Sequence, residues 1–460
     1  MKVLTLNSGS SSVKYMIYDW THKEILCRGI VEKVGCEQSF CMHEISGREP
    51  VKIKHNCPEH RQAVQLILDL LISPDHGVLN AIDEIGSVGH RVVHGGEKFT
   101  QSVIINNEVI EAFREIQDLA PLHNPPNIMG IEAAQLLLPD VPHVAVIDTA
   151  FHQTMQPAQF MYAVPHEWYE KHKVRRYGFH GTSHLYVSRR AAVLLGRDPS
   201  EINVITLHVG HGVSITAVRN GACFDTSMGL TPLEGLVMGT RAGDHDTALA
   251  LYIMEKEGLS PKEIDTILNK KSGILGVTGK YTDRRDVLEA AEKGDQRAKL
   301  ALEMEAYRIK KYIGSYTAAL GGVDAIVWTA GVGEMSPFIR ARAMEGLEWM
   351  GLKFDRKKNE VAKSRNAEFD LTASQSRVKV FAVPTDEELV LVEDVIALCE
   401  DRYDTYMNFR YSFQEPAYRN KMREAQFHKE LQQNPKMGKA LASVPTPPEN
   451  EERTAAVHLG

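Results

Sequence analysis

The sequence predicts an α/β protein built from two related halves that face one another across a cleft. Three observations carry this. "VLTLNSGSSSVKYMIYD" near the N-terminus reads as apolar strand, tight polar turn and alternating strand. "NVITLHVGHGVSITAVRNG" at residues 203–221 repeats that pattern roughly two hundred residues later, the spacing of an internal duplication rather than a chance hairpin. "DAIVWTAGVGE" then runs a third apolar strand into Gly331 and Gly333, with a helical pattern starting near Pro337.

The connecting segments supply the helices. "EHRQAVQLILDLLI" and "AKLALEMEAYRIKKYIGSYTAAL" carry helical periodicity, and "VKVFAVPTDEELVLVEDVIALCE" reads as strand, turn and amphipathic helix. "VPHVAVIDTAFHQTMQP" is a strand that ends in a polar, Pro-terminated loop, which places a hinge near residues 148–152. The predicted lobes are 1–150 with about 384–403, and 151–383. Residues 404–460 lose periodicity, and a largely disordered extension is expected there apart from a short helix around "YRNKMREAQFHKELQQ".

Bulk properties exclude several classes. The 460 residues are 43% hydrophobic and 25% charged, an ordinary globular composition with ample core material. A net charge of -7 argues against a nucleic-acid binder. No apolar run approaches the roughly 18 residues of a membrane span, and "VLTL" is too short for a signal-peptide core. Six scattered cysteines without a CxxC pair read as reduced thiols. A cytoplasmic protein is expected.

The first turn, "NSGSSSVK", holds more donors than a hairpin needs. A phosphate chain requires many donors aimed at one place and a backbone that can come close. Glycine allows the approach, and serine hydroxyls and main-chain amides donate. Lys14 adds a point charge, and the Asn7 amide offers an oxygen to hydrated Mg²⁺. "HVGHGVS" opens a second close-approach turn at Gly210 and Gly212, and "GVGE" a third. Three glycine turns at strand ends point to a nucleotide held between the halves.

Cationic side chains sit in Gly-flanked turns as well. "GHRVVHGGEKF" contains Arg91, "RRYGFHGTSH" contains His180 and "MGTRAGDHD" contains Arg241. Two arginines and a histidine around a carboxylic acid suit the neutralisation of a phosphoryl group in transfer. Asp148 ends the strand "HVAVI", where carboxylates of α/β proteins reach a site. No His, Cys or acidic spacing is diagnostic of zinc.

Taken in combination, "NSGSSSVK", "GHRVVHGG", "DTAFH", "RRYGFHGTSH", "HVGHG", "GTRAGDHD", "LNKKSGILGVTG", "AGVGE" and "PTDEEL" resemble the acetate kinase family, from Met1 to about residue 400. That family lies within the actin, Hsp70 and sugar-kinase superfamily, so the resemblance implies a ribonuclease H-like duplicated fold with an interlobe cleft. It implies reversible, Mg²⁺-dependent transfer of the ATP γ-phosphoryl group to acetate, giving acetyl phosphate and ADP, with Mn²⁺ able to substitute, in a homodimer. By the same resemblance Asn7 and Glu387 organise the metal. Lys14, the stretch His208, Val209, Gly210, His211 and Gly212, the triplet Asp283, Arg284 and Arg285, and the run Gly331, Val332, Gly333, Glu334 and Met335 hold the nucleotide. Arg91 and Arg241 hold carboxylate and phosphoryl group beside His180, with Asp148 in the acidic catalytic position. Val93, Leu122, Phe179 and Pro232 line the methyl pocket.

Three positions depart from the family pattern. His211 and Met335 stand where asparagine is common, and Ala242 where serine is usual. Altered nucleotide affinity is the expected consequence. Two other readings compete: a propionate or butyrate kinase, against which the size of Val93 weighs, and an ATP-driven clamp, which would have no use for a charged acceptor pocket.

Overall fold

The structure is a computed structural model that describes residues 1–445 apart from Leu122. Leu122, expected in the methyl pocket, and the last fifteen residues of the predicted tail therefore lie outside the described residues.

Eight strands form the first sheet: β1 (Lys2–Ser8), β2 (Ser12–Asp19), β3 (Glu24–Glu32), β4 (Phe40–Ile45), β5 (Val51–Lys54), β6 (Ile85–Val92), β7 (Val103–Ile104) and β8 (His143–Ile147). Their order is β5-β4-β3-β2-β1-β6-β8-β7. Six more form the second: β9 (Asn203–Val209), β10 (Val213–Arg219), β11 (Ala222–Thr226), β12 (Ala325–Thr329), β13 (Phe369–Asp370) and β14 (Lys379–Ala382), ordered β11-β10-β9-β12-β14-β13.

The duplication is visible in these orders. In each sheet an antiparallel three-strand meander, β3-β2-β1 or β11-β10-β9, continues into two parallel strands, β6-β8 or β12-β14. Parallel neighbours send their C-terminal ends the same way. Asn7, Arg91 and Asp148 therefore gather at one end of the first sheet, and His208, Ala330 and Val383 at one end of the second. Crevices outside strand C-termini are where such folds place ligands.

Helix packing fixes the two sheets. On one face of the first, Leu4, Leu6, Val13 and Ile17 pack with Ala63, Val64, Ile67 and Leu71 of helix His60–Leu71. On its other face Val3, Met16, Val144 and Val146 meet Leu391, Val392, Val395 and Ile396 of helix Glu387–Cys399. The long helix Gln296–Leu320 lays Ile309, Ile313 and Tyr316 against Leu207, Ile215 and Trp328 of the second sheet. Among the described residues, no helix is long and apolar enough to cross a membrane.

Three expectations need correction. The "GVGE" segment is not an open turn but the short helix Ala330–Met335, entered through Ala330 at φ 63° and followed by helix Pro337–Met344. Helix Glu387–Cys399 is not amphipathic: every residue from Leu389 to Ala397 is buried, because the sheet lies on one side and helix Gly181–Leu195 on another. The tail from 404 to 445 is ordered, with helix Lys421–Gln433 inside it. Tyr406, Tyr411, Phe413, Phe427 and Met437 are buried, and Leu441 forms a bridge to Phe369. Its anchors are aromatic residues without a regular period, so a periodicity search does not register them.

Candidate active site

Asp148 follows β8 and is 1% exposed. Its Oδ2 accepts from Arg91 Nη2 at 3.1 Å and from the His180 main-chain amide at 2.9 Å. Arg91 comes from β6, beside β8, and its attraction to Asp148 holds the guanidinium firmly protonated despite burial. Asp148 Oδ1 and Arg91 Nε are buried with no partner among the described residues. The pair thus keeps unused acceptor and donor capacity at the end of the sheet.

His180 caps helix Gly181–Leu195 in the left-handed conformation, φ 58°. Its Nδ1 lies 2.8 Å from Ser214 Oγ, and that hydroxyl lies 2.7 Å from His184 Nε2. His184 Nδ1 continues the chain to Thr206 Oγ1 at 2.7 Å. The His180 ring stacks on His208, centroids 4.0 Å apart and planes 15° from parallel, while His208 Nδ1 is 2.8 Å from Ser183 Oγ. Burial, then the neighbouring rings of His208 and His184 and the cations Arg91 and Arg241, hold the His180 pKa well below its ordinary value. His180 is therefore a neutral, oriented imidazole rather than a third cation. Sequence reasoning singled out His180 but missed Ser183, His184, Thr206 and Ser214, which are ordinary strand and helix residues until the fold brings them together.

The second hairpin closes against this group. A side chain at Gly212 would lie 3.3 Å from the His180 ring and 3.6 Å from Arg241 Nη1, so glycine lets the turn sit between them. Arg241 Nη1 donates to Pro232 O at 3.1 Å, and its other donors remain available. Val93 and Phe179 are buried in one apolar cluster. His211 packs its ring on Gly239, where a Cβ would come within 2.5 Å, and its carbonyl accepts from the Gly239 amide at 3.0 Å. Burial and then Arg284 and Arg241 push the His211 pKa down.

Asn7 pairs with Lys14 across the first hairpin. Both line a cavity of about 730 Å³ with Arg91, His180, Thr182, His208, Glu387 and Glu388. Glu387 begins helix Glu387–Cys399, accepts from Thr182 Oγ1 at 3.3 Å and has its carboxyl pushed up to about 7, chiefly by burial. Glu388, an exposed residue that lines the same cavity, was not anticipated from sequence.

The remaining nucleotide candidates divide. Gly210 abuts Ala330, and Gly333 abuts Val209, so the second hairpin and helix Ala330–Met335 lie side by side. Met335 is exposed, whereas Glu334 is buried beside Thr329 Oγ1 and the Thr385 amide, both at 3.4 Å. Asp283 caps helix Arg284–Glu292, and Arg285 pairs with it at the surface. Arg284 instead points inward, 2.8 Å from the fully buried Glu305.

The donor types at the site are compatible with a hydrated divalent cation. Among the described residues no cluster of three or more His, Cys, Asp or Glu forms a closed metal cage. Mg²⁺ needs no such cage: it keeps several waters and takes one or two carboxylates together with substrate phosphates. Asp148 Oδ1, which has no partner among the described residues, the half-buried Glu387 carboxyl and the Asn7 amide are the right donor types for it.

Comparison with known proteins places this geometry in a family. An acetate kinase of Geobacter metallireducens is 60% identical over 413 residues, covering 90% of this chain and 98% of its own. One from Treponema pallidum is 53% identical over 448 residues, covering 97% of this chain and 99% of its own. The crystal structure of Porphyromonas gingivalis acetate kinase superposes with a TM-score of 0.84 at 47% identity, covering 86% of this chain and 99% of that one. The profile of the acetokinase family matches residues 2–393. With the match spanning both sheets and every cationic turn described above, the chain belongs to the acetokinase family.

Proposed function

We propose that the protein transfers the γ-phosphoryl group of ATP to acetate, reversibly, forming acetyl phosphate and ADP. The observation that carries this is the convergence of Asn7, Lys14, Arg91, His180, His208 and Glu387 on one cavity backed by the Asp148 carboxylate. The lobes are 1–150 with about 384–403, and 151–383, and they close on the substrates. The packing of helix Glu387–Cys399 on the first sheet supports that division.

Arg91, fixed by Asp148, holds the acetate carboxylate, and Val93, Phe179 and Pro232 enclose the methyl group. An acetate oxygen attacks the γ-phosphorus as the bond to the β–γ bridging oxygen breaks, and ADP leaves with that oxygen. Arg241 donates to the equatorial phosphoryl oxygens. His180, neutral, adds an N–H donor whose direction is fixed by Ser214. No general base is required, because a carboxylic acid is already ionised at neutral pH. Asp148 acts by holding Arg91 and the His180 backbone in place. Mg²⁺, with Mn²⁺ as a substitute, would sit among Asn7, Asp148 and Glu387 and neutralise charge on the nucleotide phosphates.

Lys14, the 208–212 hairpin, Asp283, Arg285 and residues 331–335 hold the nucleotide, while Arg284 supports them from beneath. The protein acts in the cytoplasm as a homodimer. Helix Thr247–Glu257 supports self-association: it buries none of its residues, and Leu251 is 68% and Tyr252 58% exposed.

The test is to incubate purified protein with Mg²⁺-ATP and a series of short carboxylates, trapping acyl phosphate as the hydroxamate. Acetate should give the highest kcat/KM. ATP hydrolysis without hydroxamate would favour the clamp reading instead.

A further inference from the structure

The ordered extension touches the proposed metal site through a single loop. Asp386 caps helix Glu387–Cys399, its Oδ1 accepting from the Leu389 amide at 3.2 Å. Its other oxygen belongs to the extension: Asn420 Nδ2 donates to Oδ2 at 3.0 Å, and Arg423 Nη2 lies 3.5 Å away. The Arg423 fork also donates to the two carbonyls before Asp386, Nη1 to Pro384 O at 3.0 Å and Nη2 to Thr385 O at 2.6 Å. The next residue, Glu387, has its carboxyl in the cleft.

A second grip lies further along the same helix. The Ser412 amide donates to Glu393 Oε2 at 2.7 Å, and Tyr411 Oη donates to Asp394 Oδ1 at 2.8 Å. The helix that begins with Glu387 is thus held by the extension at its cap and in its middle. The Thr385 amide links the same loop to Glu334 of helix Ala330–Met335.

We propose that Arg423, with Asn420, is a positioning residue for catalysis: it fixes the 384–386 loop and so sets the direction of the Glu387 carboxylate toward the metal–nucleotide complex. The planar guanidinium suits this, because one fork meets two carbonyls and a carboxylate at once, whereas a lysine ammonium is a single point donor. The proposal rests on the kinase reading of the same cleft.

The test uses full-length Arg423→Met, Arg423→Lys and Asn420→Ala proteins. Mn²⁺ binding in the presence of ADP, read by electron paramagnetic resonance without turnover, is compared with the Mg²⁺ midpoint of activity, the KM for acetate and the melting temperature. Arg423→Met should weaken Mn²⁺ and raise the Mg²⁺ midpoint by about tenfold, the scale of a lost charged hydrogen-bond set. The KM for acetate should stay near wild type, while the melting temperature falls modestly because the Pro384 and Thr385 carbonyls lose their donor. Arg423→Lys and Asn420→Ala should give smaller shifts of the same kind, and they carry the test if Arg423→Met does not fold. Unchanged Mn²⁺ affinity in the folded variants overturns the proposal. So does a loss shared equally by metal, nucleotide and acetate, which would mark a merely structural role. A wild-type protein that binds Mn²⁺-ADP normally but forms no acyl phosphate would sink the kinase reading instead.

Discussion

The His180 main-chain amide donates to Asp148 Oδ2 across 2.9 Å, joining the start of helix Gly181–Leu195 to the end of β8. The same oxygen receives Arg91. One buried carboxylate therefore fixes both the backbone that orients an imidazole and the Arg91 guanidinium, so small errors at Asp148 would misplace two groups together.

Arg241→Ala should lower kcat by roughly 10³-fold, the scale of arginine contacts to a transferring phosphoryl group. KM for acetate should change far less, since Arg91 remains. Arg241 is half-buried and, among the described residues, donates only to Pro232 O and weakly to Met238 Sδ, so the melting temperature should hold. Steady-state kinetics alongside thermal melting decides it; turnover near wild type would remove Arg241 from the mechanism.

Val93→Ala should shift preference from acetate toward propionate. Val93 is 7% exposed and packed in the cluster that contains Phe179, so its truncation opens space within that cluster. A methylene in such a pocket is worth about 1–3 kcal/mol, or a shift of roughly tenfold or more in the ratio of kcat/KM values. An unchanged ratio would show that Val93 does not face the substrate.

Adjacent arginines should behave in opposite ways. Arg285→Ala removes an exposed side chain and should raise the KM for ATP with little effect on unfolding. Arg284→Ala strands Glu305, whose side chain is 0% exposed, and should destabilise by about 3–5 kcal/mol, as breaking a buried pair does. Urea unfolding and nucleotide titration of both variants separate them. Equal losses of nucleotide affinity with no change in stability would contradict this assignment.

Asp394 predicts a pH effect on stability. Burial pushes its carboxyl up to about 7, outweighing the Ser102 and Tyr411 hydroxyls that donate to it. The folded state thus keeps a proton that the unfolded chain gives up near pH 4. The stability this provides is complete below about pH 4 and is lost as pH rises through about 7, by on the order of 1.4 kcal/mol per pH unit between those limits. Asp394→Asn should flatten that fall, so the variant gains on wild type between about pH 4 and about pH 7 in denaturant titrations, with parallel profiles above that. Parallel pH profiles between those limits would refute the assignment.

The strand-turn-strand repeats and the cationic Gly-flanked turns were legible because period-two alternation and glycine placement are local. The duplication followed from them. What escaped was set by tertiary contact. The Ser214–His184–Thr206 relay is invisible until β9, β10 and helix Gly181–Leu195 meet. Arg284 and Arg285 are neighbours in sequence, and only the position of Glu305 sends one of them inward. Tyr411 and Phe413 are buried by irregular packing in an aromatic-rich stretch that has no regular period, so periodicity passes over them although their aromatic character argues for burial.

Asn420 and Arg423 brace the loop ahead of Glu387 from a segment that follows both sheets in the chain. During translation both sheets leave the ribosome before that brace, at about 5–20 residues per second. On the positioning role proposed above, a nascent or prematurely terminated chain that already folds its two halves would carry Glu387 without that brace.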